Sequence, residues 1–264
     1  MHRLTARGDC SLLPKLIGFM DDGPNSTFLV MEEVRRASAW PWKSNKATAR
    51  LLQELGAFHR VNPTNALSPH CWNYEAEVLA TAQQTLDDLQ QASRNPDFSE
   101  LNHSLRITRK AVAELPRLRQ MLLQEPQFGA RLIHGDVHPG NAVVRDNALQ
   151  TLVLIDWGRT RMGSPLEDVS SMLQSLRMYE PEALRRHDAL FKSYLEVSHG
   201  ERLISDTARS AYWVAGASNA LAGALSWHLM IAADKSRSGK QRASAYSAVK
   251  DWLRVIRRAH AWAL

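Results

Sequence analysis

Residues 134–141 read His134-Gly135-Asp136-Val137-His138-Pro139-Gly140-Asn141, and Asp156 follows an apolar run fifteen residues later. The glycines and the proline predict a tight loop with Asp136 and Asn141 at its two ends. Phosphoryl transfer needs a carboxylate that orients the attacking hydroxyl and accepts its proton, and it needs hard oxygen ligands for a divalent cation. The loop carries both kinds of group within six residues of one another.

Short apolar runs on both sides of this loop predict strands. A hairpin over residues 142–155 would return Asp156 beside Asn141, as a second oxygen ligand for the same cation. The turn of that hairpin is predicted at Asp146-Asn147. The predicted strands are Arg131–Ile133, Ala142–Arg145 and Thr151–Ile155, and a separate antiparallel pair is predicted near the N-terminus from Pro14–Gly18 and Thr27–Met31 across the turn-rich residues 21–26.

Helical periodicity covers most of the remaining chain. Pro116 is expected to kink or divide one of the helices. Ser164-Pro165-Leu166-Glu167 predicts a helix start, because it combines an N-cap serine, a first-turn proline and a capping-box glutamate. The other predicted helices are Lys46–His59, Glu75–Gln91, Leu101–Leu123 and Ala243–Ala261.

Length and composition exclude several classes of protein. The chain has 264 residues, 44% of them hydrophobic, which is enough for one large domain or two small ones and excludes a disordered chain. Cys10 and Cys71 lie far apart without metal-type spacing, so we expect neither a disulfide scaffold nor a zinc ribbon, and a reducing cytoplasm is the predicted location. The net charge of +6 does not by itself predict a nucleic-acid partner.

No targeting or membrane segment is expected. Residues 1–17 contain no sustained apolar core. Ala211–Ala233 has membrane-spanning length and no charged residue, but serines, Asn219, His228 and many alanines make a buried helix the better interpretation. Trp157, Trp213 and Trp227 are interpreted as core aromatics rather than as the lining of a substrate cleft.

The motifs resemble those of the aminoglycoside phosphotransferase and choline kinase-like family, small-molecule relatives of protein kinases. The resemblance rests on His134-x-Asp136-x-x-x-x-Asn141, on Ile155-Asp156-Trp157-Gly158, and on Gly163-Ser164-Pro165-Leu166-Glu167-Asp168. It implies ATP as phosphoryl donor, Asp136 as catalytic base, and Asn141 and Asp156 as ligands of magnesium. It also implies that His134 supports the loop backbone and that Asp168 is structural.

The same resemblance assigns a hinge and a division of the chain. Phe28-Leu29-Val30-Met31-Glu32-Glu33-Val34 looks like the last strand of the small lobe running into the hinge, where Met31, Glu32 and Val34 would bind adenine. Residues 1–34 would then be a remnant of the N-terminal lobe plus the hinge. Residues 35–264 would form a helical C-terminal lobe that holds the catalytic and metal-binding loops.

The chain departs from the family pattern before the hinge. Residues 1–31 contain no glycine-rich phosphate loop and no glutamate, and their lysine, Lys15, lies in a segment that resembles the fourth strand of the small lobe. Two interpretations follow. In one the chain begins late; in the other it is a pseudokinase or nucleotide-binding module without turnover.

Other functions of the loop residues have less support in the sequence. Gly135 and Pro139 oppose a helix that would present His134 and His138 to zinc, and no glutamate follows His134. The further ligands of a metallophosphoesterase do not occur in the chain. A serine hydrolase would need a Gly-x-Ser-x-Gly turn, which is also absent from the sequence.

The sequence therefore predicts an α+β, protein-kinase-like fold, with a truncated small β lobe and a mostly helical large lobe around a catalytic hairpin. The predicted function is transfer of the ATP γ-phosphoryl group, with Mg²⁺, to a hydroxyl of a small molecule. The acceptor and the oligomeric state stay open. Ser68–Glu100 holds six acids, interpreted as a solvated helix face or as a rim that favours a cationic substrate.

Overall fold

The computed structural model describes residues 12–21, 27–35, 40–61, 74–145 and 152–262. Of the turn predicted at residues 21–26, Asp21 belongs to a strand and residues 22–26 lie outside the described residues, as do the predicted turn at residues 146–147, Cys10 and Cys71. The described α-helices are α1 (Asn45–Val61), α2 (Tyr74–Ala92), α3 (Asn102–Gln124), α4 (Pro165–Tyr179), α5 (His187–His199), α6 (Asp206–Asn219), α7 (Leu225–Ala233) and α8 (Gly239–Trp262). Short 3₁₀ turns cover Pro41–Lys43, Pro96–Leu101, Trp157–Arg159 and Pro181–Arg186.

The strands form three small antiparallel pairs rather than one sheet. β1 (Leu16–Asp21) pairs with β2 (Thr27–Met31), and β4 (Ala142–Val144) pairs with β5 (Leu152–Leu154). β3 (Arg131–Ile133) pairs with β6 (Arg161–Gly163). The two predicted hairpins are confirmed, although β1 extends three residues beyond its predicted end at Gly18. The pairing of β3 with β6 was not predicted.

The helices enclose one hydrophobic core. α1 packs against α5, α4 against α6, and α7 against α8. The predicted apolar stripe of the last helix is buried in this core, at Val249, Trp252, Leu253, Ile256 and Ala259. Burial of such large side chains contributes about 1.5–3 kcal/mol each, which makes the helical region a rigid support for the loops.

The local signals at the helix ends are mostly borne out. Ser164 caps α4 by accepting a hydrogen bond from Leu166 N, while the Glu167 side chain accepts one from Ser164 N, so the predicted capping box is present. Pro116 does not divide α3, which is assigned as one helix from Asn102 to Gln124. Proline removes one backbone donor, and the packing of the apolar face of α3 outweighs this loss.

The uncharged segment Ala211–Ala233 is not one continuous helix. A π-helical segment (Ala220–Ala224) separates α6 from α7, and Gly223 within it has φ of 114°, which an L side chain rarely adopts. The Thr85 hydroxyl of α2 donates to the Leu221 carbonyl and satisfies one backbone acceptor of the irregular turn. None of the described helices combines the length and the apolar character needed to span a membrane.

Candidate active site

The loop between β3 and β4 brings Asp136 and Asn141 together, as the spacing predicts. The Asn141 amide nitrogen donates to the Asp136 carbonyl at 3.0 Å and approaches its Oδ2 at 3.4 Å. Because the amide nitrogen donates to Asp136, the Asn141 Oδ1 atom is the amide atom that can bind a cation. The Asp136 side chain is 34% exposed, so its carboxylate can reach a ligand.

His134 is buried and ties this loop to the strand that leads to Asp156. Its Nε2 lies 3.0 Å from the Ile155 carbonyl, which can only accept, so Nε2 carries the proton. Its Nδ1 accepts from the Asp136 backbone N–H at 3.2 Å. Burial lowers the pKa of His134, which agrees with this neutral tautomer. Both ring nitrogens are therefore occupied, which opposes a zinc site at His134 and His138.

The Asp168 side chain binds the backbone N–H groups at the start of the loop. Its two carboxylate oxygens accept from the N–H groups of His134 and Gly135, each at 2.8 Å. The His59 Nε2 atom lies 3.2 Å from the same carboxylate, and its Nδ1 lies 3.1 Å from the Tyr194 hydroxyl. Burial raises the pKa of Asp168, but the hydrogen bond and charge of His59 outweigh it and leave the pKa below its usual value.

Asp156 follows the second strand of the β4–β5 hairpin and lies at the same end of it as Asn141. The Ile155 N–H donates to the Asn141 carbonyl at 2.9 Å, so the residue before Asp156 is directly paired with Asn141. Asp156 has φ of 60°, the sole positive value of a non-glycine residue in the described part of the chain. Strained backbone of this kind costs about 1–3 kcal/mol and is concentrated at functional sites.

The donor groups at this end of the hairpin suit a hard divalent cation. The two oxygen donors are the amide of Asn141 and the carboxylate of Asp156, and the His138 imidazole of the same loop lies 4.0 Å from the Asp136 carboxylate. Mg²⁺ is characteristically bound by one or two such protein oxygens, with phosphates and waters as its remaining ligands. Among the described residues, no group of three or more His, Cys, Asp or Glu side chains is arranged to hold a metal without such a co-ligand.

A buried ionic cluster, which the sequence did not predict, contacts the backbone of the loop. Arg161 of β6 donates to the Gly135 carbonyl at 3.1 Å and to Glu167 at 2.6 Å. Its guanidinium lies 3.7 Å from the centroid of the Tyr74 ring. Glu167 also contacts Arg119 at 3.3 Å, and Arg119 is paired with Glu75 on α2.

The charges of this cluster stabilise one another. Burial raises the pKa of Glu167, but Arg119 and Arg161 outweigh it and keep the pKa below the usual value. Burial raises the pKa of Tyr74 to about 12, so the phenol stays protonated. The members of the cluster are distant in sequence, and charged residues usually predict surface positions. The sequence pattern around Arg161 therefore gave at most a weak indication that this arginine is buried.

The predicted hinge residue Glu32 joins the N-terminal hairpin to the β4–β5 hairpin. Its N–H donates to the Lys15 carbonyl at 2.9 Å, and its carboxylate accepts from Lys15 N and pairs with Arg145. The hydrogen bond from Arg145 holds the pKa of Glu32 below its usual value. Since the Glu32 N–H is already used, the carbonyl is its remaining backbone group for a ligand. Met31 directly precedes it, and Val34 follows two residues later.

A cavity of about 460 Å³ opens beside Asp136. The loop between β3 and β4, helix α4 and the irregular Ala220–Ala224 segment contribute to its walls. Trp227 contributes to the lining and is 54% exposed, so the interpretation of this residue as a core aromatic is wrong. Trp157 and Trp213 are buried, as expected.

The acidic residues of Ser68–Glu100 do not contribute to the described lining of this cavity. Glu75 pairs with Arg119, and Glu100 accepts from Tyr246 and Lys250. Asp87 and Asp88 each accept from a glutamine four residues earlier on α2. The described lining therefore gives no support to the acidic-rim interpretation, and the solvated-face interpretation stays a prediction.

The chain resembles known proteins in sequence and in fold. The model of the phosphotransferase enzyme family, APH, matches residues 1–203. No curated protein matches the sequence. One similar solved structure is an aminoglycoside phosphotransferase from Alicyclobacillus acidocaldarius, with 16% identity over 98% of this chain and 79% of that chain, and a TM-score of 0.61.

Two further solved structures have the same fold. A choline/ethanolamine kinase family protein from Mesorhizobium loti is 16% identical over 98% of this chain and 79% of that chain, with a TM-score of 0.58. An amicoumacin kinase in complex with AMP-PNP, Ca²⁺ and Ami is 14% identical over 96% of this chain and 75% of that chain, with a TM-score of 0.61. These likenesses confirm the predicted kinase-like fold. The family model matches most of this chain, which shows that the chain belongs to the phosphotransferase enzyme family APH.

Proposed function

We propose that the chain transfers the γ-phosphoryl group of ATP to a hydroxyl of a small molecule bound in the cavity beside Asp136. The observation that supports this proposal is the placement of three residues at one end of the β4–β5 hairpin. Asp136, whose side chain is about one-third exposed, borders a ligand-sized cavity and is hydrogen-bonded to Asn141, and Asn141 is paired through its backbone with the residue before Asp156. Membership in the family supports the reaction class, and the residue roles are our proposal.

Asp136 acts as the catalytic base. Its carboxylate accepts a hydrogen bond from the acceptor hydroxyl, orients the oxygen towards the phosphoryl group, and takes the proton as the new P–O bond forms. The bond between the γ-phosphorus and the oxygen that joins it to the β-phosphate breaks in the same transfer, and ADP leaves with that oxygen. The Asn141 amide near its Oδ2 atom limits the rotation of the carboxylate. A group in this role contributes about 10²–10⁴-fold to the rate.

Asn141 and Asp156 hold the divalent cation. A Mg²⁺ ion held by these two residues would supply positive charge that offsets the negative charge of the transferring group. The donor chemistry of the two residues supports Mg²⁺, and the AMP-PNP and Ca²⁺ of the amicoumacin kinase support a nucleotide with a divalent cation in this fold. The left-handed backbone at Asp156 turns the chain directly after the strand.

His134 and Asp168 position the loop and make no contact with the reacting atoms. Asp168 fixes the N–H groups of residues 134 and 135, and His134 joins the N–H of Asp136 to the carbonyl before Asp156. These hydrogen bonds fix the backbone of the proposed base relative to the backbone of the proposed metal ligands. Such positioning supplies a large part of the catalysis of phosphoryl transfer.

Adenine is proposed to lie against the hinge at Met31, Glu32 and Val34. Because the Glu32 N–H is used by Lys15, we assign its carbonyl as the acceptor for the adenine amino group. The division into residues 1–34 and 35–264 rests on the same assignment. The cytoplasmic location likewise stays a prediction.

The experiment that tests this function is Mg²⁺- and ATP-dependent ADP release over a panel of small hydroxyl compounds. With a compound that supports turnover, Asp136→Asn should lower kcat by about 10²–10⁴-fold, because the amide cannot accept the proton. The control is Asp97→Asn, at an exposed aspartate outside the cavity. Full activity of Asp136→Asn would refute the role of the base. ATP binding without ADP release for any compound would favour the nucleotide-binding module.

A further inference from the structure

The cavity beside Asp136 has a balanced charge. Of its described lining residues, Asp136 carries the one negative side chain and Arg159 the one formal positive side chain, counting histidines as neutral. An acceptor with several ammonium groups would need several carboxylates, because a buried charge without a partner is strongly disfavoured. The charges of the described wall therefore do not match a polycation.

Neutral hydrogen-bonding groups provide most of the remaining polar lining. Ser171 and Ser175 lie four residues apart on α4, so they share one helix face. The Asn219 amide nitrogen donates to the Glu167 carbonyl at 2.8 Å, which leaves its Oδ1 atom as an acceptor for a ligand. Groups of this kind pair with hydroxyls without requiring charge.

His228 adds one more neutral acceptor to the wall. Its Nδ1 lies 2.6 Å from the Ala224 carbonyl, which can only accept, so Nδ1 carries the proton and Nε2 has the free lone pair. Burial lowers the pKa of His228, which keeps the ring uncharged near neutral pH. The ring therefore offers a hydrogen-bond acceptor and no positive charge.

Aromatic rings form the apolar part of the cavity. Trp227 and Tyr179 line it and remain 54% and 55% exposed, an unusual exposure for two large rings beside one cavity. The Tyr179 ring also packs against Trp40, with ring centroids 5.7 Å apart. Such rings bind the flat apolar face of another ring, and Ala222 and Gly223, which belong to the same lining, add little side-chain bulk to the cavity.

We propose that this cavity binds an uncharged, ring-containing polyhydroxy compound of glycoside type, one hydroxyl of which receives the phosphoryl group. The inference rests on the proposed function for the identity of the phosphorylated hydroxyl, but not for the binding preference. Aromatic faces bind the ring, neutral side chains pair with its hydroxyls, and Asp136 accepts from the hydroxyl that reacts.

Calorimetric binding to the full chain tests the preference without requiring turnover. The probes are phenyl glucoside, its 2-amino-2-deoxy analogue, choline, and an aminoglycoside polycation, each with and without Mg-ATP. The glucoside should bind about tenfold more tightly than its amino analogue, because the added ammonium loses water without gaining a carboxylate. Preference for any of the three cationic probes, or no binding of the glucoside, would overturn the proposal.

A matched pair of variants tests the role of charge directly. Ser171→Asp adds one negative charge to the wall, and Ser171→Asn adds the same volume without charge. Ser171→Asp should shift the ratio of the two sugar affinities by roughly tenfold towards the amino analogue, while Ser171→Asn leaves the ratio unchanged. Equal ratios in both variants would show that the wall charge does not set the preference.

A second pair tests the aromatic face. Trp227→Ala should weaken binding of the glucoside about two- to tenfold, whereas Trp227→Phe should retain most of it. Met230→Ala is the control, because Met230 lies on the same helix, is 60% exposed, and is not part of the described lining. Equal effects of Trp227→Ala and Met230→Ala would contradict the assignment. ADP release is scored separately, so glucoside binding without turnover would count against the proposed function alone.

Discussion

Replacing Asp168 with asparagine should be costly, because this buried carboxylate accepts from three donors. Its Oδ1 accepts from Gly135 N, and its Oδ2 accepts from His134 N and His59 Nε2. Asparagine keeps one acceptor oxygen and puts an amide donor in place of the other. At least one buried N–H then faces another donor and loses its partner.

The expected loss follows from these contacts. One unsatisfied buried donor costs about 1–3 kcal/mol, and the change from charged to neutral acceptor weakens the remaining bonds by about 1 kcal/mol each. The lower cost of burying a neutral amide offsets part of this loss, so we expect the free energy of unfolding to fall by about 3 kcal/mol. For a chain of this length the melting temperature should fall by roughly 6–12 °C.

Urea and thermal unfolding of Asp168→Asn measure this loss. Asp87→Asn is the matched control, because Asp87 is exposed and accepts only from Gln83, four residues earlier on α2. The control should stay within about 0.5 kcal/mol of the wild type. If Asp168→Asn also stayed within that range, Asp168 would not be holding the loop.

Two further predictions concern the loop and the buried histidines. Gly135→Ala should destabilise the protein by more than about 2 kcal/mol, because φ is 83° and a Cβ there would lie 2.1 Å from an Arg161 nitrogen. The control is Gly239→Ala, whose Cβ would meet nothing within 4 Å and should leave the stability unchanged. Equal urea midpoints of the two variants would contradict this prediction. Burial lowers the pKa values of His134, His187 and His228. The unfolded chain therefore binds more protons below about pH 6.5, and the free energy of unfolding should fall by up to about 1.4 kcal/mol per pH unit for each histidine as the pH drops. Urea unfolding at pH 7.5, 6.5 and 5.5 measures the slope, and a flat profile would refute it.

The features predicted correctly from the sequence are those with local signals. β2 was predicted with its observed bounds, and the capping box at Ser164 was predicted from four consecutive residues. The meeting of Asp136 and Asn141 follows from glycine and proline spacing within one loop. Each of these depends on backbone preferences that short segments express by themselves.

The features that the sequence did not predict depend on contacts between distant segments. β6 has three residues without an alternating pattern, and its strand conformation comes from pairing with β3, about thirty residues earlier. The π-helical segment interrupts an alanine-rich run whose propensity favours a continuous helix, and only Gly223 hints at the break. Trp227 resembled a core residue because helical spacing does not show that it borders a cavity.

Calorimetric titration of Mg-ATP into the wild type, Asp156→Asn and Asp136→Asn tests the central assignment most directly. Asp136→Asn should bind Mg-ATP about as tightly as the wild type, because the base does not hold the cation. Asp156→Asn should bind at least about tenfold more weakly with Mg²⁺ present and lose no affinity when the metal is chelated. Equal Mg-ATP affinity of the wild type and Asp156→Asn would contradict the assignment of the metal site on which the proposed phosphoryl transfer depends.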